Sequence, residues 1–394
     1  MRFAVVTIGY NRPGCMNRLL HCLNTADYLG DKVNLVVSID YSGFDGVQRT
    51  AESFNWKHGE KRIIAYKRRQ GLRNHILYCG DLLTEYDAIA VFEDDVLPSL
   101  GFYSYMKQTV DKYYDDDCIA GISLYQHLWN VNANMPFQPA LSDSDVYFMQ
   151  FAQSWGQIWM KNQWFDFSRW YVENKDKPFC THALPMNVNR WPETSWLKYH
   201  IKYCVENDRY FVYPYKALST NCSEIGEHNN ARSNRYQVPL LQNCVSNYRL
   251  PEFGPNCIIY DAFFERLLYR GRIGELDTKD IEFDLYGNKD TYQRRFVVSC
   301  KRLPYKRLSS YGLDYRPHEE NVLTGVEGDS FFLYDTEIPD EECHRSESNS
   351  RFEYYYRTND YRETHDYVLG NALLSFPRFV RQVATGRRQS AHTD

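Results

Sequence analysis

The chain predicts an α/β fold built on a mostly parallel, doubly wound sheet flanked by helices. Short apolar runs of strand length recur through the first third of the sequence, and amphipathic helical segments separate them. Strands alternating with helices close into a parallel sheet through crossover connections. The run Ala88-Ile89-Ala90-Val91-Phe92 is apolar throughout, as a strand buried on both faces requires, and Glu93-Asp94-Asp95 follows it directly. Open α/β sheets bind their ligands at the carboxyl ends of strands.

The elements follow in order. Residues 3–8 read as the first strand, Gly9-Tyr10-Asn11-Arg12-Pro13-Gly14 as a turn, and residues 16–23 as the start of a helix with Leu19, Leu20 and Leu23 on one face. Residues 33–39 form the second strand, which ends at Asp40, and residues 62–66 the third. Residues 72–86 predict one amphipathic helix, with Leu72, Ile76, Cys79 and Leu83 at helical spacing. Residues 88–92 give the fourth strand, 102–114 a helix and 118–124 a further strand. A strand and turn span 210–221, and His200 falls on a helix. No glycine-rich dinucleotide or P-loop motif occupies the first turn, so a bound nucleotide is held another way.

Composition bounds the function. With 394 residues there is room for two domains, or for one large domain with an appendage. A net charge of −5 argues against a general nucleic-acid binder. The chain has no apolar run of membrane-spanning length, and the apolar stretch at its start is too short for a signal segment. The 11 cysteines form no C-x-x-C pair, which fits reduced thiols and a cytoplasmic location.

Three acids at one strand end repel one another in a low dielectric. A hard cation, Mn²⁺ or Mg²⁺, would relieve that repulsion and could hold a diphosphate. The alternative is an acidic turn facing water.

Val5-Val6-Thr7-Ile8-Gly9-Tyr10-Asn11-Arg12-Pro13, Ser38-Ile39-Asp40, Gly71-Leu72-Arg73-Asn74 and Phe92-Glu93-Asp94-Asp95 resemble the successive motifs of GT-A-fold (Rossmann-like) glycosyltransferases. The likeness is to bacterial family-two-like enzymes of surface-polysaccharide synthesis. More distantly, it is to the eukaryotic transferase that adds N-acetylglucosamine to N-glycans. It continues through Ser154-Trp155-Gly156-Gln157-Ile158-Trp159, Thr194-Ser195-Trp196, Asp284-Leu285-Tyr286-Gly287 and the segment 326–335.

The resemblance implies an inverting, metal-dependent transferase. It would move a sugar from a nucleotide-diphosphate sugar, UDP foremost, to a growing surface glycan such as capsule or lipopolysaccharide. Asp95 would bind the metal, with Asp94 contacting ribose or a metal-bound water. Asp40 would face the uracil ring, or else cap its own turn. Arg12 would meet the nucleotide or its diphosphate, with a solvated turn arginine as the alternative. Arg73 and Asn74, opening a helix, would help hold the nucleotide sugar.

Of the eight tryptophans, six lie between Trp155 and Trp196, a density that suggests either a sugar-binding half or a Trp-rich core. Trp155, Gly156 and Trp196 are the candidates for the sugars. Related enzymes carry an acid beside the Ser-Trp pair. Here Thr194 stands next to Ser195, so Glu193 is the nearest candidate base, or an ordinary helix-start acid. His228 is a second metal candidate, or a surface histidine.

The expected organisation is a catalytic domain over 1–250, divided near 125 into nucleotide and acceptor halves. An accessory region over 251–338 and a polar linker with a basic amphipathic tail over 339–394 follow. Within the tail, residues 367–388 interleave Leu, Phe and Val with arginines, which suits an anionic membrane surface and a lipid-linked glycan acceptor, or packing on the domain. The first of these two readings would place a cytoplasmic protein peripherally on the inner face of the cell membrane. Two rival classes are a sugar nucleotidyltransferase and a catalytically silent glycan-binding scaffold.

Overall fold

The computed structural model describes residues 1–224, 234–267, 269–340 and eight residues between 365 and 377. Ten strands form its central sheet. β1 (Phe3–Gly9), β2 (Asn34–Ile39), β3 (Lys61–Ala65) and β4 (Ala88–Glu93) lie parallel in the order β4-β1-β2-β3. β5 (Val96–Pro98) turns away and pairs with the strand Ser219–Asn221. On the other side of β4 come Gln157–Met160, β6 (Ile119–Ser123), Tyr210–Pro214, Val146–Met149, Ile259–Tyr260 and Arg266–Leu267. The strands Gln157–Met160, Val146–Met149 and Ile259–Tyr260 run against the rest, so the sheet is mixed but mostly parallel.

The strands are apolar because both faces are covered. Val6, Ile8, Ile89 and Val91 pack on one side with Ile76 and Cys79 of α3 (Leu72–Gly80). Val5, Val37, Ala90 and Phe92 pack on the other with Leu19, Leu20 and Leu23 of α1 (Pro13–Thr25) and with Met106 and Val110 of α4 (Phe102–Tyr113). Each such side chain stabilises the fold by about 1.5–3 kcal/mol when fully buried. Pro13 opens α1, where its preset φ suits the helix and its missing N–H would have lacked a partner. The preceding residue, Arg12, is thereby held at the mouth of the sheet.

Several elements differ from expectation. The single helix expected over 72–86 is α3 followed by a 3₁₀ turn, Asp81–Thr84. Gly80 marks the change: a Cβ there would come within 2.0 Å of Trp164 Cζ2, so the indole packs where a side chain would stand. A short helix, α2 (Gly46–Ser53), was not foreseen, since only Val47 and Ala51 give it an apolar side. Strands up to Leu267 join the central sheet, which therefore runs past residue 250.

A second sheet follows, in the order Ile281–Asp284, Phe296–Ser299, Phe331–Pro339, Tyr305–Tyr311. Phe283, Leu285 and Val298 share a core cluster with Met149 and Tyr260, so the two sheets bury one another. No described cysteine is in a disulfide. No described helix is long and apolar enough to cross a membrane. Most of the segment 367–388 lies outside the described residues.

Candidate active site

The parallel pairing of β1 and β4 sets Ile8 against Glu93, so the loops leaving both strands emerge side by side. That register carries Arg12 to the acids. Its guanidinium donates to both oxygens of Asp94, through Nε at 3.3 Å and through a tighter Nη2 contact, and to Asp95 Oδ2 at 3.2 Å. Side-chain exposures of 24% for Arg12, 6% for Asp94 and 29% for Asp95 place the pair at the edge of the core. Burial pushes the Asp94 carboxyl up to about 6, and Arg12 opposes that rise. Burial and the two neighbouring aspartates also raise Glu93, while Arg12 and a hydrogen bond from Ser154 hold it back.

The opposite wall comes from the strand beside β5. Cys222 N donates to Asp95 O at 2.7 Å, and the chain then presents Glu224 to α1. Arg18 forks onto both Glu224 oxygens at 2.6 and 2.7 Å, and the Cys15 thiol donates to the same carboxylate at 3.0 Å. The Arg18 contact draws Glu224 down to about 2, whereas burial and Glu224 push Cys15 up to about 12.

Gly156 closes the floor. Its φ is +89°, and a Cβ would lie 2.7 Å from Ser219 Oγ and 3.3 Å from Phe92 Cε1. Glycine is required there on both counts. Trp155 stacks on Tyr236 at 5.2 Å and meets Tyr125 edge-on at 4.8 Å, leaving its ring partly exposed.

Asp40, Arg73, Asn74 and Glu193 build an adjoining rim. Asp40 accepts from Tyr41 N at 2.8 Å, Gln70 N at 2.7 Å and Gly71 N at 3.0 Å. Three of a carboxylate's roughly four acceptor sites are thus spent on backbone. The residue closes its own turn and clamps the loop that opens α3. Asn74 Nδ2 ties back to Gln70 O at 3.1 Å, and Arg73 Nη1 reaches Glu193 O at 2.6 Å.

The Glu193 carboxylate accepts from Lys198 Nζ at 2.8 Å and Tyr199 OH at 3.0 Å, and these bonds hold it below the usual carboxylate range. Lys198 is 1% exposed against 75% for Glu193, so the acid serves as counter-ion to a buried cation. That pairing weakens it as a proton acceptor.

The tryptophans divide. Trp159 and Trp164 stack at 4.0 Å in the core, and Trp196, 2% exposed, meets Trp159 edge-on. The expected sugar platform at Trp196 is corrected on this point, because a ring so enclosed presents no face to a sugar. His228 lies outside the described residues.

Some participants lie outside the candidate residues singled out above. Ser154 touches Glu93, and Arg18 holds Glu224. Lys67, Arg68 and Arg69 form an exposed basic loop after β3, with Arg69 5.1 Å over the Tyr10 ring. Only the last could have been found early, as a charge run at a strand's carboxyl end.

Among the described residues no three His, Cys, Asp or Glu side chains converge on a metal position. The oxygens suit Mn²⁺ or Mg²⁺ chemically, but Arg12 spends both of Asp94 and one of Asp95. As arranged, the site fits a guanidinium and not a divalent ion.

No protein-family model matches the chain, and no curated protein does. It is similar to S. aureus TarS in complex with UDP-GlcNAc, at 14% identity and TM-score 0.39, over 59% of this chain and 62% of that one. GalNAc-T7 with UDP, GalNAc and Mn²⁺ gives 12% identity and TM-score 0.38, over 54% and 42%. The mannosyltransferase PcManGT from Pyrobaculum calidifontis, in complex with GDP-Man and Mn²⁺, gives 16% and 0.29, over 41% and 45%. The match spans less than two thirds of each of these chains.

Proposed function

We propose that the chain is a GT-A-type inverting glycosyltransferase that uses a nucleotide-diphosphate sugar, UDP-sugar foremost, to extend a bacterial surface glycan. The carrying observation is the meeting of Arg12 with Asp94 and Asp95 at the carboxyl edge of β1 and β4, above the close-packed Gly156. A ligand site at this edge is what an open α/β sheet favours. The motif resemblance supplies the reaction class.

In such a transfer an acceptor hydroxyl attacks the anomeric carbon, a carboxylate takes its proton, and the bond to the diphosphate breaks with its electrons leaving on phosphate. The chain's part is to align the two substrates and to face developing phosphate charge with cations. Arg12, already paired with Asp94 and Asp95, sets the charge at this edge, and the Lys67-Arg68-Arg69 loop brings further cations to it. Trp155 offers the partly exposed ring for a sugar. Glu193 is the candidate base, with its proton affinity lowered by Lys198 and Tyr199.

The test is a screen of UDP-, GDP- and dTDP-sugars for binding and for transfer, with and without Mn²⁺. Specific binding of one donor, lost in Asp95→Asn, supports the proposal. Absence of binding to every nucleotide sugar refutes it, and glycan binding without transfer marks a scaffold. Release of pyrophosphate from a nucleoside triphosphate and a sugar 1-phosphate marks a nucleotidyltransferase. Glu193→Gln is the companion variant: loss of transfer by on the order of 10²–10⁴-fold with donor binding intact identifies it as the base.

A further inference from the structure

A cavity of about 410 Å³ lies between the strands Arg266–Leu267 and Ile281–Asp284, where the central sheet gives way to the second. Five cations line it, Arg266, Arg270, Lys279, Lys289 and Arg294, against two acids, Glu265 and Glu282. Lys289 is consumed by Asp261 at 3.1 Å and Glu282 at 3.4 Å, and Lys279 leans on Asp277 at 3.2 Å. The three arginines have weaker ties. Arg266 has its carboxylate partner, Glu320, at 3.9 Å and lies 5.1 Å over the Tyr269 ring. Arg270 bonds the neutral Asn256 amide, and Arg294 Nη1 bonds Ile281 O at 2.8 Å. Among the described residues none of the three is matched by a close carboxylate, and a guanidinium fork is shaped to receive one, or a phosphate.

A second observation points the same way. Glu265, 2% exposed, accepts from Tyr286 N at Oε1 at 2.9 Å, but among the described residues its Oε2 has no partner, and neither does the Tyr269 hydroxyl beside it. Burial drives the Glu265 carboxyl well up, against the pull of Lys289, and so favours its neutral form. Buried polar atoms left unpaired cost about 1–3 kcal/mol each, a cost that a ligand's acceptors remove.

The ligand's class follows from the lining. Tyr269 and Phe283 are buried, so no aromatic face is offered to a nucleobase. Pro255 and Leu267 are accessible and suit the C–H faces of a sugar. Arg270, Lys279 and Arg294 line the cavity and are themselves exposed, so a ligand that meets them extends into solvent, which suits a polymer. We propose that this cavity binds an anionic segment of a polysaccharide, its carboxylate or phosphate groups meeting Arg266, Arg270 and Arg294. That the polymer is the acceptor of the transfer rests on the function proposed above; the binding does not.

The test uses the full chain and three probes: an alginate oligomer for carboxylate, inorganic polyphosphate for phosphate, and a neutral dextran oligomer. Affinities are measured calorimetrically without nucleotide. The expected result is that at least one anion binds and dextran does not. Arg270→Ser/Arg294→Ser should weaken the anion by about tenfold. Lys216→Ser/Lys306→Ser, which removes equal charge from exposed positions outside the cavity, should leave it within about twofold. If the arginine pair fails to fold, Arg270→Gln on the rim replaces it, with about a threefold loss expected.

The proposal is overturned if neither anion outbinds dextran, or if both double variants lose affinity alike. Donor binding, measured in parallel, separates the two proposals. Anion binding without any nucleotide-sugar binding removes the transferase and keeps the cavity, and the reverse removes the cavity alone.

Discussion

Arg12→Gln is the perturbation that the site's electrostatics respond to most directly. The guanidinium holds both oxygens of Asp94 and one of Asp95. Breaking a fully buried pair costs about 3–5 kcal/mol, because the partner is left charged and desolvated. Asp94 is buried to that degree, but Arg12 and Asp95 keep some contact with water, which reduces the loss to about 2–3 kcal/mol. Unfolding entropy of about 2 cal/mol/K per residue makes this about 3 °C in melting temperature for a chain of this size, if it melts as one unit. Asp94→Asn in the same background removes the orphaned charge and should recover at least about 1 kcal/mol as a coupling in a double-mutant cycle. Differential scanning calorimetry of the four proteins measures it. A second assay asks what else can use those oxygens: Mn²⁺ titrated into Arg12→Gln should bind more tightly than into the parent, by about tenfold for each 1.4 kcal/mol of competition relieved. Additive melting shifts would refute the pairing, and unchanged Mn²⁺ affinity would show that the guanidinium does not stand in a cation's place.

Three further outcomes follow from particular contacts. Gly156→Ala should destabilise by about 2–3 kcal/mol and lower donor affinity, since it combines a left-handed φ with a 2.7 Å approach to Ser219; a parent-like melt would show that the floor yields. Asp40→Ala should release the Gln70-Gly71 loop at a cost of about 1–3 kcal/mol and speed tryptic cleavage at Lys67, Arg68 and Arg69; unchanged cleavage would mean that the loop is held by other contacts. Among the described residues His200 has no partner at either ring nitrogen; it stacks on Phe167 at 4.1 Å and is held by burial at about 3. With its folded pKa depressed, the unfolded chain takes the proton first, so stability falls as pH drops from about 6.5 toward about 3, by about 2 kcal/mol at pH 5. His200→Phe should therefore lose less stability than the parent between pH 8 and pH 5, and equal acid losses in melts of the two would sink the argument.

The parts of this molecule that local pattern can encode were legible in the sequence. A continuous apolar run of this length reads as a buried strand, and β4 is that strand, with the acids at its carboxyl end. The neighbouring loop after β1 was legible too, because parallel order places consecutive loops at one edge. What the sequence could not show is which of the charged residues spend themselves on one another. Arg12 and Asp94 are 82 positions apart, and their contact depends on β1 lying beside β4. Glu193 looked like a candidate base until Lys198 appeared beneath it, and a lysine buried to 1% is invisible to any helical pattern. The antiparallel strand Gln157–Met160 was hidden for a related reason: its apolar residues fit a buried strand of either direction, and only its pairing with β4 and β6 decides. Trp196 followed the same rule, since an indole in a Trp-rich segment has no sequence mark that separates a sugar platform from a core plug.

Charge at the candidate site changes the part Asp40 plays. Asp94, Asp95 and Glu224 bring three carboxylates to this edge, and Arg12 and Arg18 bring two cations, each bound to those same acids. A diphosphate approaching this set finds positive charge already committed, so the edge needs cations held from elsewhere. The Lys67-Arg68-Arg69 loop is the neighbouring basic element, and it reaches Tyr10 in the loop that carries Arg12. Its end is pinned by two backbone bonds to Asp40, whose own turn accounts for a third. On the proposed reading, Asp40 therefore acts at one remove. It spends its oxygens on backbone instead of a base, and in doing so fixes where three cations stand relative to the acids of β4. A carboxylate at the end of β2 is required under either account, which is why the motif alone could not distinguish them, and the number of its oxygens left for a ligand is what does.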